Sequence, residues 1–377
     1  MTVSTAKLPV IDLSSPDRLS TANSIRQACV DYGFFYLANH GVEEELIEMA
    51  FEESRKFFSL PLDEKMKLPR KEHRGYSPLY AENLDPDSSS KGDSKEAFYV
   101  GPVRGSGNKA ELNQWPSPGN FRSSSFMEVD NGVLSWKGHV SHDIVNQFRM
   151  NIFMLARVCS FGLEGVSSLP AADYCLRSAA RRLISLIALA LKLDEDYFVK
   201  VGALDDPEGF LRLLHYPGEL GSSDEEPIYG ASAHSDYGMT TLLLTDGVAG
   251  LQACPSYRAL PDSRFVGRSG DNLGSGKMYH RYMGEFTIAK RICASVLCFI
   301  VNIGDMMERW TNCLFRSTLH RVMPTGQERY SMAFFMDPNP DCIVECLESC
   351  CSESCPPRFP AIRSGDYFTE RFRLTYD

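Results

Sequence analysis

After residue 198 the chain becomes a series of short apolar, strand-like runs: LRLLHYP, HSDYGMTTLLLTD, GLQAC, LCFIVNIGD, LFRSTLHRVM, RYSMAFFMD and CIVECL. Gly, Pro and Asp punctuate them, and no helical period intervenes. Many short strands without helices between them predict an antiparallel barrel or a double-sheet jelly roll. The N-terminal half reads differently. LPVIDL (8–13) is strand-like, and residues 19–31 place Leu19, Ala22, Ile25, Ala28 and Cys29 on one helical face. GFFYLANHG (33–41) is a strand ending in a turn. Residues 42–58 form an amphipathic helix with Leu46, Met49, Ala50 and Phe57 on its apolar side, and LDEKMKL a short further helix. Pro69 to Pro118 is polar and turn-rich, and 181–198 returns to helix. The expected fold class is therefore α+β, with an α/β N-terminal region and a β-rich C-terminal core.

At 377 residues and 43% apolar content the chain can bury a sizeable core. The formal net charge of −10, with no basic domain, argues against nucleic acid as a partner. The apolar run LISLIALAL (183–191) is too short to span a bilayer. The N-terminus lacks a signal layout, and the twelve cysteines are scattered, so they read as reduced thiols of a cytoplasmic protein.

Among eight histidines, two have chemical neighbours. His234 precedes Asp236 by two positions, which on a strand puts both on one face. His320 lies in LFRSTLHRV, before a turn at MPTG. A His-x-Asp pair with a distant His is the ligand set of the 2-His-1-carboxylate facial triad, which holds non-haem Fe(II) and leaves other positions open. Taken alone, a His-x-Asp pair is more often a surface hydrogen bond. Nine residues past His320 comes Arg329, with Ser331 two further on along an apolar strand. An inward Arg there needs an anion, and its planar fork suits a carboxylate, whereas an outward Arg on an edge strand needs nothing. Tyr216, ending LRLLHY, either packs or offers a phenol to the same anion.

These motifs resemble the plant-type Fe(II)/2-oxoglutarate-dependent dioxygenases of the isopenicillin N synthase-like superfamily. LPVIDLS, YGFFYLANHGV and FFSLPLDEKMKL resemble its N-terminal region; LRLLHYP, AHSDYGMTTLLLTDGVAGLQ, FIVNIGDMMERWTNCLFRSTLHRV and ERYSMAFFMDPNPD resemble its catalytic core. HRGYSPLYAENLDPDSSSKGDSKEAFYVG is closer to a separate branch than to the hormone enzymes. The resemblance implies a distorted double-stranded β-helix flanked by helices. It implies His234, Asp236 and His320 as iron ligands, and Arg329 and Ser331, assisted by Tyr216, as the grip on the distal carboxylate of 2-oxoglutarate. Fe(II), with 2-oxoglutarate and O2 as co-substrates and ascorbate as an auxiliary reductant, is the implied cofactor set. The implied reaction couples oxidative decarboxylation to succinate and CO2 with hydroxylation of a small organic metabolite by a monomeric enzyme. Two alternatives remain: a member that keeps the fold without catalysis, and an Fe(II) oxidase that does not use 2-oxoglutarate.

Two stretches depart from the family pattern, dividing the chain into a region 1–120, an atypical insertion 121–179, and a jelly-roll domain 180–377 with a second atypical insertion at 255–297. Asp236 and His320 are thereby 84 residues apart (236 to 320), longer than the family usually has. We read both stretches as retained-intron or mis-assigned exon sequence, as a hypothesis; a routine transcript carrying both would remove it. The alternative is a pair of genuine long loops, which cost little closure entropy when their ends stay close. The glycines of GRSGDNLGSGK (267–277) miss the phosphate-loop spacing, and CIVECLESCCSESCPP lacks zinc-knuckle spacing. His73 and Arg74 read as a solvated loop, with a place facing the substrate as the alternative, and His40 as a turn residue with a satisfied hydrogen bond.

Overall fold

The computed structural model describes residues 8–71, 73–82, 84, 92–101, 113–116, 126–130, 133–137, 176–205, 209–218, 229–254, 287–288 and 298–376. Most of the two atypical stretches, and all of 267–277, lie outside these residues.

Sixteen strands are described. β1 (Val10–Asp12), β2 (Phe34–Ala38), β3 (Gly75–Ser77), β4 (Glu96–Val100), β5 (Phe126–Asp130) and β6 (Val133–Lys137) belong to the N-terminal half. β7 (Gly209–Tyr216), β8 (Ala231–His234), β9 (Thr240–Thr245), β10 (Leu251–Ala253) and β11 (Thr287–Ile288) follow. β12 (Phe299–Ile303), β13 (His320–Val322), β14 (Arg329–Met336), β15 (Ile343–Val344) and β16 (Ile362–Arg363) complete the set. The helices are α1 (Arg18–Asp31), α2 (Glu44–Phe58), α3 (Leu62–Lys65), α4 (Leu176–Ala190), α5 (Tyr197–Lys200), α6 (Asp305–Trp310) and α7 (Ser364–Tyr376).

Eight strands form a major sheet in the order β1-β2-β12-β9-β14-β7-β4-β3, and four form a minor sheet, β11-β10-β13-β8. Pairing is antiparallel throughout both, except for the parallel β1–β2 edge. The two sheets share an apolar layer: Phe34, Tyr36, Leu214, Ile300 and Ala333 from the major sheet meet Ala231, Leu251 and Val322 from the minor one. The opposite face of the major sheet buries α1, α2 and α4, through residues such as Ile25, Ile47, Leu183 and Ile187. This is a jelly-roll core flanked by helices. Among the described residues no helix is long and apolar enough to cross a membrane.

Local chemistry explains the helix limits. Asp17 caps α1 by accepting from the Ser20 amide at 3.0 Å. In α2, Glu44 and Glu45 open the helix while Arg55 and Lys56 close it, each complementing the dipole at its end.

Three expectations need correction. Leu19 is 67% exposed, because the buried stripe of α1 runs through Thr21, Ala22, Ile25, Ala28 and Cys29. Leu19 sits in the outer first turn, beside Arg18, which pairs with Glu195 at the surface. The segment from Pro69 to Pro118, expected to be turns, contributes β3 and β4 to the major sheet, and β4 is buried along its whole length. Its charge is neutralised internally: Glu96 accepts from Lys65 at 2.7 Å and pairs with His215 Nδ1 at 2.7 Å. Finally, eight described cysteines are free thiols, but Cys298 is disulfide-bonded rather than reduced.

Candidate active site

Each strand presents alternate residues to the space between the sheets, as pleating requires. β7 offers Arg212, Leu214 and Tyr216; β9 offers Thr241 and Leu243; β14 offers Arg329, Ser331, Ala333 and Phe335. From the minor sheet β13 offers His320 and Val322. The resulting cavity encloses about 550 Å³ of space free of atoms, part of it open to solvent. All six residues singled out in the sequence, Tyr216, His234, Asp236, His320, Arg329 and Ser331, line it.

His234 and His320 face each other across the antiparallel β8–β13 pair, with ring centroids 4.3 Å apart. Asp236 is not on the strand: β8 ends at His234, and the carboxylate comes from the turn that follows. That turn is pinned to the start of α6, where the Asp305 amide donates to the Asp236 carbonyl at 2.8 Å. A side chain on Gly304 would collide with the backbone of Gly238, so this approach requires glycine.

The orientation of each donor is fixed from behind. His234 Nδ1 donates to the Ser232 carbonyl at 2.7 Å, and His320 Nδ1 to the Thr318 carbonyl at 3.1 Å. A carbonyl only accepts, so both protons sit on Nδ1 and both Nε2 lone pairs face inward. They lie 3.8 and 3.7 Å from Asp236 Oδ1. Asp236 Oδ2 accepts from Thr241 Oγ1 at 2.6 Å and from Asn302 Nδ2 at 2.7 Å. Burial, reinforced by His320, pushes His234 down to about 4, so the ring is neutral at physiological pH. Burial would raise the Asp236 pKa, but the facing imidazoles and the Thr241 and Asn302 hydrogen bonds hold it below the ordinary carboxylate value. Among the described residues, this is the one His/Cys/Asp/Glu group whose ligand atoms lie within 4.8 Å of one another. Two imidazole nitrogens and a carboxylate oxygen, oriented by a backing layer of hydrogen bonds, suit a divalent transition metal such as Fe(II).

Arg329 opens β14 opposite Tyr216, and its guanidinium lies 4.8 Å from the Tyr216 ring centroid. Nη1 donates to Ser331 Oγ at 3.2 Å and Nε to the Val248 carbonyl at 3.3 Å. Arg329 is 3% exposed, so the Arg points inward.

Sequence reasoning missed several residues of this region. Thr241 and Asn302 read as ordinary strand positions. Lys95 and Arg212 line the cavity from a buried network: Glu82 accepts from Arg212 and from the Tyr99 hydroxyl, while Lys95 approaches Glu82 at 3.3 Å and Asp93 at 2.5 Å. A second cavity, about 730 Å³, shares His234, Asp236 and Arg212 with the first. His73 lines it, stacked 4.1 Å from Phe372 of α7, and Arg74 is 8% exposed, so neither belongs to a solvated loop. His73 is covered by α7, which is distant in sequence, whereas Arg74 lies over Phe210 of β7. His40 is a buried turn residue whose Nδ1 accepts from the Val42 amide.

Comparisons with known proteins agree with this geometry. Residues 8–118 match the N-terminal region of the non-haem dioxygenase in morphine synthesis, and residues 285–338 match the 2OG-Fe(II) oxygenase superfamily. The second match begins inside the stretch 255–297. Azadirone synthase LFS of Melia azedarach is 31% identical, covering 97% of this chain and 92% of its own. Kihadalactone A synthase LFS of Citrus sinensis is 32% identical, covering 99% and 95%. A full-length Neurospora crassa protein solved in complex with alpha-KG is similar in structure, with TM-score 0.66 and 26% identity over 97% of this chain and 96% of that one. JOX2 in complex with 2OG, Fe and JA shares the fold at TM-score 0.62, with 24% identity over 99% and 85%. The chain therefore belongs to the 2OG-Fe(II) oxygenase superfamily, whose members are oxidoreductases using Fe(II) and 2-oxoglutarate.

Proposed function

We propose that His234, Asp236 and His320 hold Fe(II), and that Arg329 and Ser331, with Tyr216 beneath, take the distal carboxylate of 2-oxoglutarate. The enzyme then hydroxylates a small organic metabolite while 2-oxoglutarate is converted to succinate and CO2. The observation that carries this reading is convergence: three inward donor atoms and a buried Arg–Ser pair line one cavity. When bound, iron supplies open coordination positions for the keto acid and oxygen, and the oxidising power for a C–H bond.

The chain's own residues do the rest. The Ser232 and Thr318 carbonyls keep both Nε2 lone pairs on the iron side. Thr241 and Asn302 occupy Asp236 Oδ2 and leave Oδ1 to the metal. Arg329 is a buried cation whose charge favours an anion in the cavity, and the Ser331 bond orients its fork. Leu243, Ala333 and Phe335 are apolar walls that limit water. The second cavity reaches the same His234–Asp236 edge, so it suits the metabolite. Structures of the Neurospora crassa protein with thymine and of JOX2 with JA support a small-molecule substrate. We place the protein in the cytoplasm as a monomer, with ascorbate as auxiliary reductant; the net charge of −10 disfavours a polyanionic partner.

Anaerobic titration of the Fe(II) protein with 2-oxoglutarate tests the assignment through the visible charge-transfer band of the chelate. His234→Ala should abolish metal binding. Arg329→Ala should keep the metal and weaken 2-oxoglutarate by about tenfold to a hundredfold, the worth of a charge-assisted hydrogen bond. Retention of 2-oxoglutarate affinity in Arg329→Ala would overturn the co-substrate site.

A further inference from the structure

The second cavity has walls of Phe210 and Phe335 from the sheet and of Phe368 and Phe372 from α7. Its charged lining holds both signs, Arg70 and Arg212 with Asp236 and Asp337, so charge singles out neither an anion nor a cation. His73 adds a neutral group to that lining. It sits within a turn that Lys71 and Arg74 close with two backbone hydrogen bonds of 2.8 Å. Its ring stacks on Phe372 at 4.1 Å and stands edge-on to Phe210 at 6.4 Å. A guanidinium only donates, so the 3.0 Å bond between Arg70 Nη2 and His73 Nδ1 makes Nδ1 the acceptor. The ring proton is therefore on Nε2. Burial first, then the charges of Arg70 and Arg74, push the pKa of His73 down to about 4, so the ring is neutral at physiological pH. Among the described residues no group accepts from that Nε2–H.

From this juxtaposition we propose that His73 is a specificity-determining residue, its Nε2–H donating to a carbonyl oxygen on an uncharged, flat ring substrate held between the phenylalanines. The inference rests on the oxygenase reading above, which gives this cavity to the metabolite. The aromatic walls offer ring faces, which a planar substrate covers best. A buried N–H costs free energy unless an acceptor meets it, so a substrate with no acceptor there is disfavoured. The bond from Arg70 to Nδ1 polarises the ring and strengthens Nε2–H as a donor. The fixed tautomer also rejects the reverse pairing, because a substrate N–H in the same place would meet a second donor.

The test uses the full-length protein loaded with Zn(II) and saturated with 2-oxoglutarate, so that the metal and the Arg329 end are filled. Two probes of one shape are titrated calorimetrically: 1-indanone, which carries a carbonyl, and indane, which does not. The variant is His73→Asn. Asn tolerates the φ of 60° at this position, and its amide stands at the level of Nδ1, but it has nothing at the level of Nε2. It should weaken 1-indanone about threefold to tenfold more than indane, the worth of a hydrogen bond between neutral groups. His73→Gln, whose amide nitrogen reaches the level of Nε2, should recover part of that difference. Infrared difference spectra give a second readout. The carbonyl stretch of bound 1-indanone should lie below its value in cyclohexane, and should rise in His73→Asn. Equal losses for the two probes, binding of neither, or an unshifted stretch in the wild type would overturn the proposal. So would a lowered stretch that persists in His73→Asn, which would assign the bond to another donor. The wild-type stretch stands as a test even where the His73 variants fail to fold. The proposed function fails separately, and visibly, if the wild type takes up no metal or no 2-oxoglutarate.

Discussion

Asp236 is satisfied on one oxygen and directed on the other. Thr241 and Asn302 both donate to Oδ2, which turns Oδ1 toward the two imidazoles. Hydrogen bonds of this kind orient a ligand and tune its basicity, so their loss is felt at the metal although they never touch it. Asn302→Leu should therefore weaken Zn(II) or Fe(II) binding by about tenfold to a hundredfold, measured by equilibrium dialysis, with the fold retained. Unchanged metal affinity would show that Asp236 needs no such support. His73 makes a different prediction. Burial first, then Arg70 and Arg74, depress its pKa from 6.5 to about 4 in the folded state. Between these values the unfolded chain binds a proton that the native protein refuses, so stability falls as pH drops from 6.5 towards about 4 and is unaffected by this group above 6.5. Urea unfolding across that window should show a shallower loss for His73→Asn, which tolerates the positive φ of 60° at this position. Parallel pH profiles would rule this out. The two residues also mark what was legible in the chain. His234, Asp236 and His320 declared themselves through residue type and spacing. Asn302 did not, because its task depends on β12 lying beside β9 and the Asp236 turn. His73 was misread because the phenylalanine that covers it comes from the last helix.

At the scale of elements, β4 shows why pattern and structure parted. EAFYV follows a Ser-, Gly- and Asp-rich segment, and a strand that begins with Glu96, directly after Lys95, reads as surface. Inside the fold those charges have partners from elsewhere: α3 supplies Lys65 and β7 supplies His215 for Glu96, and the segment before β4 supplies Glu82 and Asp93 for Lys95. No one-dimensional pattern states which charges will meet. The strands of the core were legible because their alternation is dictated by the pleat, and β14 needed nothing else to aim Arg329 and Ser331 together. Burial raises the cost of ionising Glu82, yet the charges of Arg212, Lys95 and Arg70 and the Tyr99 hydrogen bond hold its carboxyl well below the usual carboxylate range. The same cations then depend on it. Glu82→Gln should destabilise the protein by about 3–5 kcal/mol in urea unfolding, the typical result of removing one partner from a buried ionic cluster. A loss below about 1 kcal/mol, the level of an ordinary substitution, would mean that the cluster is hydrated and inessential.

For the whole molecule, the site joins two sheets that otherwise meet through apolar side chains. His234 and His320 belong to the minor sheet, whereas Asp236 is tied to β9 and β12 of the major sheet through Thr241 and Asn302. A metal on all three would add a polar cross-link where the apolar layer of Phe34, Leu214 and Val322 supplies only contact. The unfolded chain cannot offer the same grip, because His320 lies 84 residues (236 to 320) beyond Asp236. Ligands that bind the native state alone stabilise it by mass action, by about 2.7 kcal/mol at a hundredfold excess over Kd. Zn(II) should therefore raise Tm in a concentration-dependent way, and chelation should return it to the metal-free value. His320→Ala removes the minor-sheet end of the link while leaving the His234–Asp236 pair, so its Tm should no longer respond to micromolar metal. A shift that persists in His320→Ala would place the stabilising metal elsewhere in the molecule. A wild type that binds metal tightly without any shift would show that the unfolded chain binds it as well.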